Sequence, residues 1–157
     1  MRVGLGFDVH PFSDDPDRRL VLGGVHFDGF PGLAGHSDAD VVAHACIDAM
    51  LGAAGLGDLG ELFPDDDPAW AGADSIALLA EATRRVRAAG FVPANIDCAV
   101  VLDEPKLAPE RAQMQHKLSE AATAPVTVKG RRTEGLGAFG RGEGVAAWAV
   151  ALVQELA

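Results

Sequence analysis

The sequence predicts a single domain of the α/β or α+β class. Segments with strand character alternate with segments of helical character, which is the pattern of a sheet covered by helices. The chain of 157 residues is long enough for one hydrophobic core, and no repeat, linker or low-complexity segment divides it, so residues 1–157 are predicted as one domain. Hydrophobic residues make up 48% of the chain and charged residues 23%, which is typical of a globular protein.

Three strands are predicted in the first part of the chain. Arg2–Asp8 is short and rich in glycine and apolar residues, and it is predicted to be a buried strand. After a polar loop at 11–18, two further strands are predicted at 20–22 and 25–27. Glycines and a proline at 29–32 then break the pattern.

The first long helix is predicted to begin at Ser37 or Asp38 and to continue to about Ala54. Ser37 and Asp40 have the spacing of a capping box with the shorter acid. Residues 55–67 are predicted to form a loop with at most one helical turn.

Helices and strands continue to alternate in the second half of the chain. The predicted elements are a helix at 75–89 closed by Gly90, a buried strand at 96–102, a helix at 109–122 and a strand at 126–129. The apolar, alanine-rich segment 145–156 fits either a helix or a strand, because periodicity alone does not separate the two.

The charge balance excludes one class of function. Lys and Arg total 13 against 23 Asp and Glu, a formal charge of −10, whereas nucleic-acid binding depends on many cationic contacts to phosphates. A small phosphorylated ligand stays compatible with this charge, because a bound divalent metal can reverse the local field.

Several features predict a cytoplasmic protein that is not held in a membrane. No apolar run approaches the roughly 20 residues that span a bilayer, and residues 1–5 lack the layout of a signal peptide. Cys46 and Cys98 stand alone in apolar surroundings, without CxxC spacing. They are expected to be buried free thiols in a reducing compartment.

Asp8 and His10 are the first candidate metal ligands. Residues two apart in a strand point to the same face, so this carboxylate and imidazole should converge, while Val9 is expected to enter the core. An isolated Asp-x-His pair is more often an exposed pair at a strand end, so a third ligand is needed.

His44 offers that third ligand from the predicted helix. A lone histidine in an apolar helix is usually a satisfied core residue, but Asp40 and Asp48 lie one turn before and after it and could orient its ring. A set of one aspartate and two histidines leaves one tetrahedral position open, which is typical of a catalytic zinc site.

A series of motifs resembles the 2-C-methyl-D-erythritol 2,4-cyclodiphosphate synthases along nearly the whole chain. The motifs are GFDVH at 6–10, HSDADVVAH at 36–44, DAMLGAAGLGD at 48–58, LFPDDDP at 62–68, GADS at 72–75, EPK at 104–106 and GRGEG at 140–144. The resemblance implies a ferredoxin-like βαβ sandwich with a mixed sheet. It also implies a homotrimer with active sites between subunits, and a strand for the segment from Val145.

The resemblance further implies a metal-dependent, cyclising lyase of the non-mevalonate isoprenoid pathway. Such an enzyme converts 4-diphosphocytidyl-2-C-methyl-D-erythritol 2-phosphate to 2-C-methyl-D-erythritol 2,4-cyclodiphosphate and releases CMP. Zn²⁺ would bind Asp8, His10 and His44, as the resemblance implies. A second divalent ion, Mg²⁺ or Mn²⁺, would bind Glu134 at the diphosphate, although without the resemblance Glu134 is simply an exposed loop acid.

Residues around the substrate are also implied by the resemblance. His36, Arg132 and Thr133 match catalytic positions, and Arg132 stands where the family usually has a threonine. The implied substrate-binding residues are Ser37, Asp58, Leu59, Gly60, Phe63, Pro64, Asp65, Asp67, Leu102, Pro105, Lys106, Leu107, Ala108, Arg131, Ala138 and Arg141. Taken alone, the acid-rich turn at 65–67 would be only solvated, and 102–108 would only connect a strand to a helix.

Two other functions stay open from the sequence. One is a zinc-dependent phosphodiesterase or phosphatase that uses water as its nucleophile with the same ligands. The other is a non-catalytic trimer that binds isoprenoid phosphates, since Arg141 and Glu143 match family positions near a threefold axis where an isoprenoid diphosphate can bind. The GxGxxG pattern at 135–140 is not interpreted as a dinucleotide site, because it lacks the βαβ context and the later acid.

Overall fold

A computed structural model describes residues 1–156, and it shows a mixed α/β fold. Four strands form one sheet in the order β1–β6–β4–β5, and β2 and β3 form a separate antiparallel pair. The strands are β1 (Arg2–Pro11), β2 (Arg19–Leu22), β3 (Val25–Pro31), β4 (Phe91–Val101), β5 (Val126–Arg131) and β6 (Gly144–Glu155). The helices are α1 (Val41–Ala54), α2 (Leu59–Leu62), α3 (Ser75–Ala88), α4 (Arg111–Ala122) and α5 (Gly137–Gly140), with a 3₁₀ turn at Pro68–Trp70.

The four-stranded sheet is mixed, as predicted. Strand β6 runs antiparallel to both of its neighbours, β1 and β4, whereas β4 and β5 are parallel and are joined through α4. Strands β1 and β4 therefore run in the same direction with β6 inserted between them, which is a split βαβ arrangement. Helix α1 packs on β1, β6 and β4, so the long helices lie against one face of this sheet.

The alanine-rich C-terminal segment is a strand because it lies between two others. Its backbone groups pair with β1 on one side and β4 on the other. Ala147, Ala149 and Ala151 are buried and lie opposite Asp8, Gly6 and Gly4 of β1. These small side chains allow α1 to pack closely on the sheet, so the alanine content reflects helix packing rather than helix propensity.

Helix α1 begins later than predicted. Asp40 is its N-cap and accepts hydrogen bonds from the backbone N–H groups of Val42 and Ala43. Ala39 has a φ of 58°, which lies outside the helical region. The expected capping box of Ser37 and Asp40 is therefore wrong, and the hydroxyl of Ser37 accepts a hydrogen bond from the N–H of Ala39 instead.

Replacing Asp40 with alanine should destabilise the fold strongly. The buried carboxylate also accepts from the N–H groups of Gly23 and Gly24, at 2.8 and 2.6 Å, so it ties the turn after β2 to the start of α1. Loss of the cap and of these partners should lower the free energy of unfolding by about 2–4 kcal/mol in urea denaturation. The exposed N-cap of α3, Asp74, is the matched control, and its alanine variant should lose only about 1 kcal/mol. Equal losses in the two variants would contradict this role.

The first strand is covered on only one face, so its expected full burial is wrong. Gly4 and Gly6 face α1, whereas Val3 and Leu5 point the other way and are 67% and 68% exposed. Val9 is also exposed and does not enter the core, contrary to the expectation. Only glycine fits on the face of β1 that α1 covers, so the large apolar residues of β1 lie on its uncovered face.

Several element boundaries also differ from the prediction. Strand β4 begins at Phe91 rather than at residue 96. From Ile96 onward its side chains alternate between buried and half-buried, so the expected full burial of this strand is wrong. The short helices at Pro68–Trp70 and Gly137–Gly140 were not predicted. The second of them contains most of the GxGxxG pattern and leads into an antiparallel strand, which agrees with the rejection of a dinucleotide site.

The two cysteines are confirmed as buried free thiols. Among residues 1–156, no helix has both the length and the apolar character needed to cross a membrane.

Candidate active site

Asp8, His10 and His44 lie together where the end of β1 meets helix α1. One carboxylate oxygen of Asp8 lies 3.1 Å from Nε2 of His10 and 2.9 Å from Nδ1 of His44. One ligand atom from each residue lies within 4.8 Å of the others, and this is the only such group of three acidic, histidine or cysteine residues within 1–156. The predicted convergence of the three side chains is confirmed.

Both imidazole rings are held by hydrogen bonds on the nitrogen that points away from Asp8. Nδ1 of His10 lies 2.6 Å from the carbonyl oxygen of Ala34, which can only accept, so Nδ1 donates and Nε2 faces Asp8. Nε2 of His44 lies 2.9 Å from the hydroxyl of Ser75 and 3.1 Å from that of Ser37. The opposite nitrogen of each ring therefore faces the carboxylate.

The two acids expected to orient His44, Asp40 and Asp48, form hydrogen bonds with other groups. Asp40 caps α1 and binds the turn at Gly23 and Gly24, while Asp48 accepts a hydrogen bond from the N–H of Leu59 at 2.8 Å. The prediction that these two acids orient the ring is wrong, because helical spacing gave their positions along α1 but not their partners. The hydroxyls of Ser37 and Ser75 contact the ring instead.

The electrostatics of this group favour a cation. Burial would raise the pKa of Asp8, but hydrogen bonds with His10 and His44 outweigh that effect and hold the pKa well below its usual range. Burial would likewise lower the pKa of His10, yet its contact with Asp8 leaves the pKa raised. Two imidazole nitrogens and one carboxylate are ligand types that zinc accepts, and three protein ligands leave a fourth position open. The donor set thus fits a divalent metal.

A cavity of about 280 Å³ opens directly beside the three candidate ligands. Five residues with an expected substrate role line it, namely His36, Ser37, Leu59, Phe63 and Asp65. Gly35, Trp70 and Leu78 also line it and were missed by the sequence reasoning. Trp70 packs edge-on against Phe63 at 5.0 Å between ring centroids, and its place two residues after the LFPDDDP motif was the available signal.

Four other expected substrate residues lie near this cavity but do not line it. Asp58 is the N-cap of α2 and accepts from the N–H of Glu61, and Gly60 is exposed within the same short helix. Asp67 caps the 3₁₀ turn, and its carbonyl oxygen lies 3.2 Å from Nε2 of His36. Pro64 is half-buried next to Phe63.

A second cavity, of about 210 Å³, is built by the segment after β4 and the end of β5. Its lining includes the expected substrate-binding residues Leu102, Pro105, Lys106, Leu107, Ala108 and Arg131 and the expected catalytic residue Arg132, together with Asp103, Arg111 and Gly130. Four cationic side chains surround this small cavity, although the chain has a formal charge of −10. They are Lys106, Arg111, Arg131 and Arg132. Such a cluster suits an anionic ligand.

Asp103 organises the loop at the edge of this second cavity. Its carboxylate accepts hydrogen bonds from both the hydroxyl and the N–H of Thr133, and it lies 3.6 Å from the guanidinium of Arg132. The hydroxyl and N–H of Thr133 hold the pKa of Asp103 below its usual range. The hydroxyl of Thr133 is therefore engaged within the chain, and the loop is held by an ionised aspartate.

Comparison with known proteins identifies the family to which this chain belongs. The model of the YgbB family matches residues 1–154. The chain belongs to the YgbB family.

Two curated relatives show how far the similarity extends. The chain is 50% identical to the 2-C-methyl-D-erythritol 2,4-cyclodiphosphate synthase of Yersinia enterocolitica serotype O:8, over 98% of this chain and 96% of that protein. It is 53% identical to the bifunctional enzyme IspD/IspF of Anaeromyxobacter sp., over 96% of this chain but only 39% of that longer enzyme. The YgbB-family chain thus spans one relative almost completely and well under half of the other.

A solved structure shows that the similarity extends to the fold. The structure of a 2C-methyl-D-erythritol-2,4-cyclodiphosphate synthase in its CDP-bound form superposes with a TM-score of 0.86 at 38% identity. The match covers 98% of this YgbB-family chain and 100% of that one.

The remaining predicted residues of this YgbB-family chain, Glu134, Ala138 and Arg141, do not line either cavity. Glu134 is exposed with a φ of 55° and is not part of the group formed by Asp8, His10 and His44. Ala138 is exposed on α5. Arg141 lines a third cavity, of about 430 Å³, and pairs with Glu143 at 2.6 Å.

Proposed function

We propose that this chain converts 4-diphosphocytidyl-2-C-methyl-D-erythritol 2-phosphate to 2-C-methyl-D-erythritol 2,4-cyclodiphosphate with release of CMP. The observation that carries the proposal is the convergence of Asp8, His10 and His44 beside a cavity, in a chain whose near-full-length relatives bear the name of that synthase. The two buried free thiols suit a reducing compartment and support a cytoplasmic location.

The chemistry requires little acid–base catalysis from the protein. An oxygen of the 2-phosphate, already anionic at neutral pH, forms a bond to the β-phosphorus. The bond from that phosphorus to the oxygen bridging to the α-phosphate breaks, and CMP leaves with the bridging oxygen. Charge repulsion between phosphates and the entropy of ring closure oppose the reaction, so the protein must position the two groups and offset their charge.

The cavity beside Asp8, His10 and His44 is proposed to hold the reacting phosphates. Asp8, His10 and His44 would hold Zn²⁺, which when bound withdraws charge from phosphate oxygens. His36 and Ser37 line the same cavity and would donate hydrogen bonds to the phosphates. The packed rings of Phe63 and Trp70 would exclude water from one side of the substrate. A second divalent ion, Mg²⁺ or Mn²⁺ at Glu134, is part of the same proposal.

The second cavity is proposed to hold the cytidine end. Lys106 and Arg131 would offset the charge of the leaving CMP, while Leu107 and Ala108 offer apolar contacts to the base. The CDP-bound structure of a similar synthase supports a cytidine diphosphate ligand for this chain. The proposal also includes substrate contacts by Ala138 and Arg141. Asp58 and Gly60 would contact the erythritol hydroxyls.

A homotrimer with ferredoxin-like subunits and intersubunit active sites is proposed as the working assembly. The uncovered face of the sheet supports it, because Val3, Leu5, Phe7, Trp148 and Val150 expose apolar surface there. A contiguous apolar face of this kind marks an interaction surface. The pocket at Arg141 is proposed as a site for an isoprenoid diphosphate on the trimer axis.

Leu5→Glu should convert the trimer to monomers. A buried, unpaired carboxylate at three symmetry-related positions is costly, so sedimentation velocity should show a species of about one third of the wild-type mass. Leu136→Glu makes the same change at an exposed leucine in the loop before α5, outside this sheet, and should leave the mass unchanged. A trimeric Leu5→Glu protein, or a monomeric wild type, would refute the proposed interface.

Incubation of the chain with the cytidine-linked substrate, Zn²⁺ and Mg²⁺ tests the activity. Release of CMP together with a cyclic diphosphate in the phosphorus NMR spectrum is the expected result. Acyclic phosphate products would instead indicate the phosphodiesterase, and ligand binding without CMP release would indicate a non-catalytic isoprenoid-phosphate binding protein.

Arg132→Thr should retain wild-type turnover within about twofold, or raise it. The side chain of Arg132 is 70% exposed at the cavity rim, and a threonine would place a compact hydroxyl near the phosphates. Steady-state CMP release measures the effect. Collapse of turnover with folding and metal binding intact would show that the guanidinium is the better group.

A further inference from the structure

Asp38 and Ser75 form a partly buried contact behind His44 that the proposed chemistry does not use. Ser75 is the last residue of the GADS motif and the first of α3, and it is completely buried. Its hydroxyl contacts both the carboxylate of Asp38 and, at 2.9 Å, Nε2 of His44. A continuous chain of polar atoms therefore runs from Asp38 through Ser75 to a candidate metal ligand.

The direction of these hydrogen bonds follows from what each group can donate. The carboxylate of Asp38 accepts from the N–H of Ser75 at 3.1 Å and from the N–H of Asp40 at 3.2 Å. An ionised carboxylate can only accept, so the hydroxyl of Ser75 must donate its single hydrogen to Asp38. The same hydroxyl oxygen can then only accept from His44.

This order determines the tautomer of His44. Nε2 must carry the hydrogen that Ser75 accepts, and Ser37 lies 3.1 Å from the same nitrogen, where its oxygen can share that hydrogen. Nδ1 is left with its lone pair pointing at the carboxylate oxygen of Asp8, 2.9 Å away. Nitrogen and oxygen lone pairs at that distance repel each other unless a proton or a metal ion lies between them.

We propose that Asp38 and Ser75 are positioning residues, which hold the ring of His44 with Nε2 protonated and Nδ1 free to bind the metal. The inference rests on the proposed metal site, and it assigns a role to two residues that do not themselves line the substrate cavity. Partners of this kind raise the basicity of a ligand and set its orientation, and their loss typically weakens metal binding by about 10–100-fold.

Ser75→Ala isolates this role from the purely structural one. The variant keeps the N–H of residue 75 for Asp38, the bond from the N–H of Asp38 to the carbonyl of Ala73, and the N-cap of α3 at Asp74. Only the hydroxyl is lost. The dissociation constant of Zn²⁺, measured by competition with a chromophoric chelator in the absence of substrate, should rise by about 10–100-fold.

Cobalt substitution supplies a second readout. The visible absorption bands of the Co²⁺-loaded Ser75→Ala protein should shift or lose intensity, because the freed imidazole changes the ligand geometry. Ser75→Thr restores the hydroxyl and should return the affinity and spectrum toward those of the wild type. Ser119→Ala is the matched control, since its hydroxyl accepts from the N–H of Val126 far from the site, and it should leave both readouts unchanged.

Asp38→Asn tests the same chain from its other end. An amide can donate to the hydroxyl of Ser75, which would then be free to donate to Nε2 and reverse the tautomer, so metal affinity should again fall. Equal affinities and spectra for the wild type and both variants, Ser75→Ala and Asp38→Asn, would overturn this inference alone. Absence of metal binding by the wild-type chain would overturn the proposed function together with it.

Discussion

Asp8→Asn should abolish tight metal binding and lower the rate of CMP release by roughly 10³-fold or more. One carboxylate oxygen of Asp8 contacts both imidazoles, so it is the point at which the three candidate ligands meet. Asparagine is nearly the same size but has no charge, and its amide nitrogen cannot bind a metal. Loss of a metal that stabilises transition-state charge by several kcal/mol corresponds to about tenfold for each 1.4 kcal/mol.

Metal content of the purified protein and single-turnover CMP release measure this effect together. Asp14→Asn makes the same change in the exposed loop between β1 and β2 and should retain full metal content and rate. Chelation of the wild type should reproduce the loss, and added Zn²⁺ should restore activity to the wild type but not to Asp8→Asn. Normal turnover by a metal-free Asp8→Asn protein would contradict the proposed mechanism.

Gly6→Ala should disrupt both the fold and the metal site. A Cβ atom on Gly6 would lie 2.6 Å from the backbone nitrogen of Ala49 and still closer to the carbonyl oxygen of Ala45. Both obstacles are backbone atoms of α1, so the helix must move away from β1 to make room. Overpacking of this kind costs about 1–3 kcal/mol, occasionally more, in the free energy of unfolding.

The same displacement should weaken metal binding, because His44 is the residue of α1 that reaches across to Asp8. Thermal unfolding and chelator competition measure the two effects separately. Gly52→Ala is the control, since Gly52 lies in the same helix with nothing near its Cβ position, and it should stabilise the protein by up to about 1 kcal/mol. If Gly6→Ala retained wild-type stability and metal affinity, the close approach of helix to strand would not be what assembles the site.

Much of the site could be predicted from the chain because local geometry fixes part of it. Asp8 and His10 share a strand face through the two-residue period, and this pairing is confirmed. His44 was chosen as the third ligand because a histidine in an apolar helix, with acids one turn away on either side, is a candidate ligand, and the family motifs point to the same residue; its place beside Asp8 and His10 is confirmed. Residues 102, 103 and 105–108 line one cavity, and their substrate role stays a prediction.

The errors in the prediction have a common physical cause, which is that a pattern gives the period of a segment but not what covers it. The apolar content of β1 suggested full burial, yet only its glycine face meets α1 and Val9 points outward. The acids one turn from His44 have the spacing to contact it, yet Asp40 and Asp48 bind backbone N–H groups elsewhere. Arg111 and Trp70 join the cavities from segments to which no role had been assigned.

The sequence by itself determined the class of fold, the family and two of the three candidate ligands as a pair, because these depend on short-range periodicity and on motif order. Only the tertiary structure decided how the tail from Gly144 pairs and which hydroxyls hold His44. Strand pairing and side-chain hydrogen bonds join residues that lie far apart in the chain, such as Asp38 and Ser75. Their partners are set by the packing of α1 and α3 on one another and on the sheet, which no local pattern encodes.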